Sequence, residues 1–278
     1  MTSKKIVLVG AGGMLGQQVL FQLIGAGFLV HALTSSDIDI SQEASVRQVL
    51  HGIDFFDTVI NCAAFTHVDS CETFWDKAVS VNATGPLYLA KICQERGAQL
   101  MHFSTDYVFD GQGHLPYVET CNPAPINAYG RSKLLGEQVI QAHCETHYIL
   151  RIQWLYGQGG RHFIEAILQK AAKDPSSLQV VADQWGSPTS TRTIAEAVVA
   201  LCQHALAYGI YHVATQGYTS WHGLAEYVLG HSVPSLLSSE LPRPAPRPLN
   251  GRLDIKKWLQ TGLYSPPTWQ RDVDRFRV

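Results

Sequence analysis

The chain has 278 residues, of which 46% are hydrophobic and 16% are charged, a composition typical of a folded protein with a sizeable core and not of a disordered one. The formal net charge is -2, and no block of like charges suggests a nucleic-acid-binding surface. The apolar runs are too short to span a bilayer, and the first residues lack the apolar stretch of a signal peptide. We therefore expect a cytoplasmic protein without nucleic-acid or membrane partners.

Strand-like and helix-like segments alternate through the first half of the chain. Strands are predicted at residues 5–9, 28–34, 57–64, 99–105 and 147–154, and helices at residues 14–24, 43–50, 78–95 and 129–144. Gly85-Pro86 is expected to bend the third helix or to mark its true start. This alternation predicts an α/β fold, a Rossmann-type doubly wound parallel sheet.

The alternation loosens after Gly157. Helices are predicted at residues 163–173, at 193–205 and from Trp221, with strands at 178–182 and 209–214. The proline-dense stretch 241–251 is expected to be an extended surface segment. We therefore predict a dinucleotide-binding domain over residues 1–157, to which some later segments return, and a smaller, mainly substrate-binding region over residues 158–278.

The glycine-rich stretch G-A-G-G-M-L-G follows the first strand and opens the first helix. It places Gly10, Gly13 and Gly16 where bare backbone lets a pyrophosphate approach, and the helix N-terminus supplies unpaired N–H groups. The spacing is G-x-x-G-x-x-G. We interpret this stretch as a dinucleotide-binding turn, with a plain tight turn as the alternative.

The end of the second strand bears on the choice of cofactor. It reads Thr34-Ser35-Ser36, and no carboxylate stands at the position that usually binds a ribose 2′-hydroxyl, nor does an arginine. Hydroxyl groups tolerate a 2′-phosphate, which favours NADPH slightly over NADH. Asp39 and Ile40 are expected to flank the adenine.

Tyr129 and Lys133 are spaced so that they lie on one face of the predicted helix. A free phenol has a pKa of about 10, and a nearby ammonium lowers it by favouring the phenolate. Tyr129 is then a candidate proton donor to a developing alkoxide, with Lys133 as its partner. Ser104-Thr105, at the end of the strand 99–105, offers a candidate hydroxyl for polarising a carbonyl. The alternative for the pair is a solvated helix surface.

The motifs F-S-T-D-Y-V-F-D-G, N-A-Y-G-R-S-K, W-L-Y-G and D-Q-W-G-S-P-T make the chain resemble the extended short-chain dehydrogenase/reductases, and among them the dTDP-4-dehydrorhamnose reductase family. The resemblance runs from about Lys5 to about Asp254. It implies NAD(P)H-dependent reduction of the 4-keto group of dTDP-4-dehydro-β-L-rhamnose to dTDP-L-rhamnose. Two alternatives are a reductase of another 4-keto sugar nucleotide, and a cofactor-binding regulatory subunit like the β subunit of methionine adenosyltransferase.

The resemblance also implies roles for particular residues. It makes Thr105, Tyr129 and Lys133 catalytic. It implies further cofactor contacts at Gly13, Met14, Leu15, Ala64, Phe65, Thr66 and Phe103, beside Gly10, Gly16, Thr34 and Asp39-Ile40, which the residues themselves suggest. Asp106 and Trp154 are implied to contact the dTDP-sugar, although a tryptophan at a strand end is also a common core residue.

Only the resemblance, and not the residues themselves, suggests a bound metal ion or a dimer. The cluster His143, Cys144, Glu145 and His147 lacks further ligands at zinc spacing, so no metal site is predicted from the residues. Magnesium at a subunit contact and a homodimer are admitted by the resemblance. Three departures from the family pattern lie near the cofactor or sugar, namely Gln153 before Trp154, Gly251 in place of a serine, and Phe65 in place of a tyrosine or histidine.

Overall fold

A sheet of six parallel strands forms the centre of the computed structural model, which describes residues 4–277. From one edge to the other the strands are Gly209–His212 (β10), His147–Ile152 (β5), Gln99–Thr105 (β4), Thr58–Asn61 (β3), Lys5–Val9 (β1) and Leu29–Leu33 (β2). The chain winds outward from β1 in both directions, so the strand order reverses between β1 and β3. Ligands of such sheets bind at the carboxyl ends of the strands near this reversal. The predicted Rossmann-type α/β fold is confirmed.

Helices cover both faces of the sheet. In chain order they are Met14–Gly25 (α1), Glu43–His51 (α2), Val68–Thr73 (α3), Trp75–Val79 (α4), Gly85–Arg96 (α5), Ala128–His143 (α6), Phe163–Lys173 (α7), Thr191–Gln203 (α8), Trp221–Leu229 (α9), Lys256–Gln260 (α10) and Trp269–Arg277 (α11). Alternate residues of β1 enter opposite cores, with Ile6 and Leu8 packed toward α1 and α8, and Val7 and Val9 packed toward α2 and α5. This alternation fixes which face of the sheet each helix covers.

The helix predicted over residues 78–95 is three consecutive segments. A π-helical turn, Ser80–Thr84, separates α4 from α5, and Pro86 lies in the first turn of α5, where a missing N–H leaves no bond unmade. Within the wide turn the Asn82 side chain bonds the backbone of Phe65 and the Ser132 hydroxyl. Gly85-Pro86 therefore marks the start of a helix, which was one of the two predicted outcomes.

A smaller region built on short strands follows β5. Its strands are Leu155–Tyr156 (β6), Val180–Val181 (β7), Trp185–Gly186 (β8), Thr189–Ser190 (β9), Thr219–Ser220 (β11) and Ser235–Leu236 (β12), which pair as β6-β9, β11-β8 and β12-β7. Residues of α7, α9 and α11 form its separate apolar core. Two later elements lie elsewhere: α8 packs on α1, and β10 pairs with β5 at the edge of the large sheet.

The proline-dense stretch 241–251 has no helix, but the prediction of a surface segment is wrong for part of it. Ala245, Pro248, Asn250 and Gly251 are buried. The Asn127 side chain donates to Pro246 O, and the Ala245 N–H donates to Asp69, so the segment is bonded across to the start of α6 and to α3. Proline cannot supply ladder hydrogen bonds, and side chains provide these contacts instead.

Residues 4–277 contain no helix that is long and apolar enough to cross a bilayer. The prediction that there is no signal peptide rests partly on residues 1–3, which lie outside the described residues.

Candidate active site

Two adjoining cavities lie at the carboxyl ends of the central strands. One, of about 410 Å³, is bordered by residues from the ends of β3, β4 and β5 and from α6. The other, of about 590 Å³, lies between the glycine turn and the end of β2. Gly13, Cys62 and Ala64 border both cavities, so the two form one groove. We call them the inner cavity and the outer cavity.

The glycine turn has the close backbone approach that a phosphate-binding turn requires. Gly10 has φ +80°, and a Cβ there would lie 2.5 Å from the backbone nitrogen of Ala63. A Cβ at Gly16 would lie 2.1 Å from Gly10 O, so only glycine lets α1 start this near to β1. Gly13 caps α1 without a side-chain hydrogen bond, and the first turn carries no acidic residue. The N-terminus of α1 therefore fits a pyrophosphate.

A carboxylate lies near the end of β2, but it does not border the outer cavity. Asp37 folds back on Thr34 and accepts hydrogen bonds from its N–H at 2.8 Å and its hydroxyl at 2.7 Å. These bonds hold the pKa of the exposed Asp37 carboxyl below its usual value. A turn of residues 34–37 brings the aspartate back to Thr34, which linear spacing does not show.

Two polar contacts hold the first turn of α6, the helix that carries Tyr129 and Lys133. Asn127 caps the helix by accepting the Gly130 N–H at 2.8 Å, and Glu72 of α3 accepts the Ala128 N–H at 2.7 Å. Tyr129, Lys133 and Thr105 all border the inner cavity. The structure thus brings the three residues predicted to be catalytic to one cavity beside the glycine turn.

The pKa of the Tyr129 phenol is raised in this structure, not lowered as expected from the lysine. Burial is the largest cause, the nearby Asp106 carboxyl adds to it, and the Thr105 side chain partly offsets it. Nζ of Lys133 instead lies 3.1 Å from Nε2 of His102. Burial lowers the pKa of Lys133 to about 8, so its amine is closer to neutrality than a free lysine but is still mostly protonated at pH 7.

A buried chain of hydrogen bonds holds the lysine amine. His102 lies on β4 directly behind Lys133, and its Nδ1 lies 3.1 Å from Nδ2 of Asn61 on β3. Burial, followed by the lysine charge, lowers the pKa of His102 well below its usual value, so the ring is neutral. Lys133 is therefore tied to two strands of the sheet, which fixes its amine at the inner cavity.

Thr105 and Asp106 form a polar pair at the end of β4. The Thr105 hydroxyl donates to Oδ1 of Asp106 at 3.0 Å and accepts the Tyr107 N–H at 3.2 Å. Oδ2 of Asp106 has no hydrogen-bond partner among residues 4–277. Burial raises the pKa of the Asp106 carboxyl to about 7, so this group is near its titration midpoint at neutral pH.

Trp154 follows β5 and borders the inner cavity. Its φ of 46° makes it the one non-glycine residue with a positive φ among residues 4–277, a conformation that persists only when surrounding contacts hold it. Its ring stacks on Trp221 of α9, with centroids 3.6 Å apart and planes 7° apart. The smaller region therefore supports the tryptophan at the rim of the site.

Comparison with known proteins agrees with this geometry. The family model described as the RmlD substrate binding domain matches residues 4–277. The chain belongs to the RmlD family. Its extended short-chain dehydrogenase/reductase character and its resemblance to dTDP-4-dehydrorhamnose reductases are thereby confirmed.

Relatives of this RmlD chain are similar over most of their length. A dTDP-4-dehydrorhamnose reductase of Mycobacterium tuberculosis is 39% identical, covering 96% of this chain and 90% of the relative. A dTDP-4-keto-6-deoxy-D-glucose reductase of Streptomyces niveus is 40% identical, covering 81% and 77%. The crystal structure of a Bacillus anthracis dTDP-4-dehydrorhamnose reductase in complex with NADP superimposes with a TM-score of 0.93 at 32% identity, covering 99% of both chains.

The RmlD chain places most of the predicted cofactor residues around the groove. The outer cavity is bordered by Gly10, Gly13, Thr34, Asp39, Ile40 and Ala64. The inner cavity is bordered by Gly13, Met14, Leu15, Ala64, Thr66, Phe103, Tyr129 and Lys133, and by the predicted substrate residues Thr105, Asp106 and Trp154. Gly16 and Phe65 border neither cavity. Gly16 lies against Gly10 O of the glycine turn. The Phe65 ring packs beside Ala78, and Nζ of Lys77 lies over it.

Sequence reasoning missed several residues that border the inner cavity. The polar ones are Ser104, Tyr107, Gln153 and Arg161, and the others are Cys62, Val68, Ile152 and Leu155. Gln153 was noted only as a departure from the family pattern, and Arg161 gave no periodic or motif signal. Among residues 4–277 no group of three or more His, Cys, Asp or Glu side chains could hold a metal ion, so the described residues give the magnesium suggestion no support.

Proposed function

We propose that this protein reduces the 4-keto group of dTDP-4-dehydro-β-L-rhamnose to give dTDP-L-rhamnose, using NADPH or NADH. The observation that carries the proposal is the convergence of Thr105, Tyr129 and Lys133 on one cavity that adjoins a phosphate-binding glycine turn. Full-length similarity to dTDP-4-dehydrorhamnose reductases supports the substrate. A cytoplasmic location and a homodimer stay predictions.

The residues of the site divide the reduction between them. When bound, the reduced nicotinamide supplies the hydride that adds to C4 of the sugar. The Thr105 hydroxyl, which donates to Oδ1 of Asp106 in this structure, turns its proton to the C4 oxygen of the bound sugar as negative charge develops there. Tyr129 keeps its proton at neutral pH because its pKa is raised, and it donates that proton to the same oxygen. Lys133, anchored by His102, holds the nicotinamide ribose and stabilises the phenolate that results.

The choice between NADPH and NADH has support on both sides. The Bacillus anthracis relative binds NADP, which supports NADPH. The residues that border the outer cavity include the Asp39 carboxylate and no arginine or lysine that would pair with a 2′-phosphate, which supports NADH. We therefore propose that both cofactors are accepted, and the assay below compares them.

A second candidate is a reductase of another dTDP-4-keto-6-deoxyhexose. The Streptomyces niveus relative carries such a name and is 40% identical over its aligned part. The same Thr105 and Tyr129 chemistry serves any 4-keto sugar that presents its carbonyl in the inner cavity. Comparing enzymatically prepared dTDP-4-dehydro-L-rhamnose with dTDP-4-keto-6-deoxy-D-glucose as substrates separates the two candidates.

The test follows cofactor oxidation by absorbance with each sugar nucleotide and each cofactor. We expect turnover with dTDP-4-dehydrorhamnose, and we expect Tyr129→Phe to lower kcat by about 10²-fold to 10⁴-fold, because it removes the proton donor. Tyr227→Phe is the matched control, since its hydroxyl bonds only the exposed Asp274. Cofactor binding without oxidation of either cofactor would favour the regulatory-subunit alternative, and full activity of Tyr129→Phe would show the donor assignment to be wrong.

A further inference from the structure

Two buried polar side chains at the inner cavity lack hydrogen-bond partners. Asp106 and Gln153 each follow one of two paired strands, because the register of Thr105 with Ile152 places them level with each other. Both are 2% exposed. Oδ2 of Asp106 and both Oε1 and Nε2 of Gln153 are unpartnered among residues 4–277. Buried polar groups of folded proteins are nearly always bonded, so these three atoms point to a ligand.

Two glycines lie directly beside these polar atoms. A Cβ at Gly251 would lie 2.5 Å from Oδ2 of Asp106, and a Cβ at Gly186 would lie 2.9 Å from Oε1 of Gln153. The two glycines belong to adjacent segments, since the Gly251 N–H donates to Trp185 O at 2.8 Å. Any larger residue at either position would occupy space beside the unpaired atoms.

The chemistry of the pair fits a hydroxyl group. The Gln153 amide offers two donors and one acceptor, and Asp106 offers an acceptor or, when protonated, a donor. A sugar hydroxyl both donates and accepts, so it satisfies an amide and a carboxyl together. Neither group is a fixed positive charge, and the pair therefore does not suit a phosphate.

The position of the pair selects one hydroxyl of the substrate. Thr105, which polarises the C4 carbonyl in the proposed reaction, directly precedes Asp106 and is bonded to it. The bound hydroxyl must therefore lie next to C4. In a 4-keto-6-deoxyhexose C5 carries a methyl group, so the only neighbouring hydroxyl is on C3.

We propose that Gln153, beside the substrate residue Asp106 that the family resemblance implies, is a specificity-determining residue, and that the two side chains together bind the C3 hydroxyl of the sugar. This inference rests on the proposed function for the identity of the sugar. A purely structural role for Gln153 is a poor account of its amide, because an unbonded buried amide destabilises the fold. Stability and ligand recognition are therefore expected to change in opposite directions when the amide is removed.

The test replaces the amide by an apolar group of similar shape in Gln153→Met. Calorimetric titration with dTDP-L-rhamnose, in the presence of NADP, is compared with titration of the analogue that lacks the C3 hydroxyl. We expect the wild type to prefer the hydroxylated ligand by at least about tenfold, and the variant to lose about tenfold of this preference. Its melting temperature is expected to stay equal or rise. The exposed Gln158 gives the matched control Gln158→Met, with binding unchanged.

Gly251→Ala tests the same subsite without altering Gln153. Its methyl group meets Oδ2 of Asp106, so the preference for the C3 hydroxyl should again fall, whereas Gly25→Ala, whose Cβ meets nothing within 4 Å, should leave it unchanged. Equal binding of the two ligands by the wild type, or an unchanged preference in both Gln153→Met and Gly251→Ala, overturns the subsite. Selective binding without turnover of dTDP-4-dehydrorhamnose overturns the proposed reaction and leaves the subsite supported.

Discussion

Burial moves two ionisable groups of the inner cavity toward neutrality. The pKa of the Asp106 carboxyl is raised to about 7, and the pKa of the Lys133 amine is lowered to about 8, in both cases chiefly by desolvation. Each shift means that the charged form is less stable in the folded protein than in the unfolded chain. The site therefore lowers the stability of the fold at neutral pH, as expected for groups arranged for ligand binding and proton transfer.

Asp106→Asn is predicted to stabilise the protein at pH 8 and to leave its stability nearly unchanged at pH 4. The folded-state pKa of about 7 exceeds the unfolded value of 3.8, so the wild type loses stability as the pH rises from about 4 through 7, whereas asparagine does not titrate. We expect a gain on the order of 4 kcal/mol at pH 8 from denaturant unfolding.

Asp110→Asn provides a control of opposite sign. Bonds from the Tyr117 hydroxyl and the Gln112 N–H hold the pKa of Asp110 below its usual value. This substitution should destabilise the protein at pH 8, with the difference shrinking as the pH falls below the ordinary range of aspartate. A gain for Asp106→Asn that did not depend on pH would contradict the ionisation argument.

At the scale of elements, a buried ion pair fixes α6 against the sheet. Arg151 of β5 donates to Glu137 of α6 from Nη2 at 2.6 Å and from Nε at 2.9 Å, and the Ser104 hydroxyl of β4 also donates to Glu137. The arginine and glutamate side chains are 1% and 0% exposed. Because Glu137 is one turn beyond Lys133, the pair holds the helix that carries Tyr129 and Lys133 at the ends of β4 and β5.

Glu137→Ala is predicted to destabilise the fold by about 3–5 kcal/mol, because it leaves the Arg151 charge buried without a partner. The double variant Glu137→Leu with Arg151→Met removes both charges and should recover most of that loss. Chemical denaturation of both variants measures the difference. Glu43→Ala, which breaks the exposed pair with Arg47, should change the stability by less than about 1 kcal/mol. A double variant no more stable than Glu137→Ala would contradict this account.

At the scale of the whole molecule, Asp272 of α11 joins the end of the chain to the parts that support the site. Its carboxylate accepts hydrogen bonds from the Tyr156 hydroxyl, the Ser190 N–H and hydroxyl, and the Thr193 hydroxyl. These partners lie on β6, β9 and α8, and α8 packs in turn on α1, which starts at the glycine turn. The C-terminal helix is thereby connected to both regions of the protein.

Asp272→Ala is predicted to lower the stability of the whole protein by about 3 kcal/mol, since several buried donors lose their acceptor. Asp274→Ala on the same helix is the matched control, because Asp274 is exposed and accepts only from Tyr227. Thermal unfolding of the two variants is the measurement. If Asp272→Ala were no less stable than Asp274→Ala, the carboxylate would not connect the regions as described.

Local pattern in the sequence was enough to predict the core of the fold and the centre of the site. Alternating apolar segments predict the strands β1 to β5, because strand and helix periods are properties of neighbouring residues. The glycine turn and the pairing of Tyr129 with Lys133 are also local, and parallel strands bring their ends together. Thr105, Tyr129 and Lys133 could therefore be assigned to one site before their positions were known.

Only the tertiary structure decided the contacts that join distant segments. The return of Asp37 to Thr34, the bond between Lys133 and His102, and the burial of the proline-dense segment beside Asp106 each depend on how the chain folds back. The unpaired amide of Gln153 is visible only once the surrounding backbone is placed. Hydrogen bonding and desolvation are set by neighbours in space, so the ionisation and the specificity of this site follow from packing and not from local sequence.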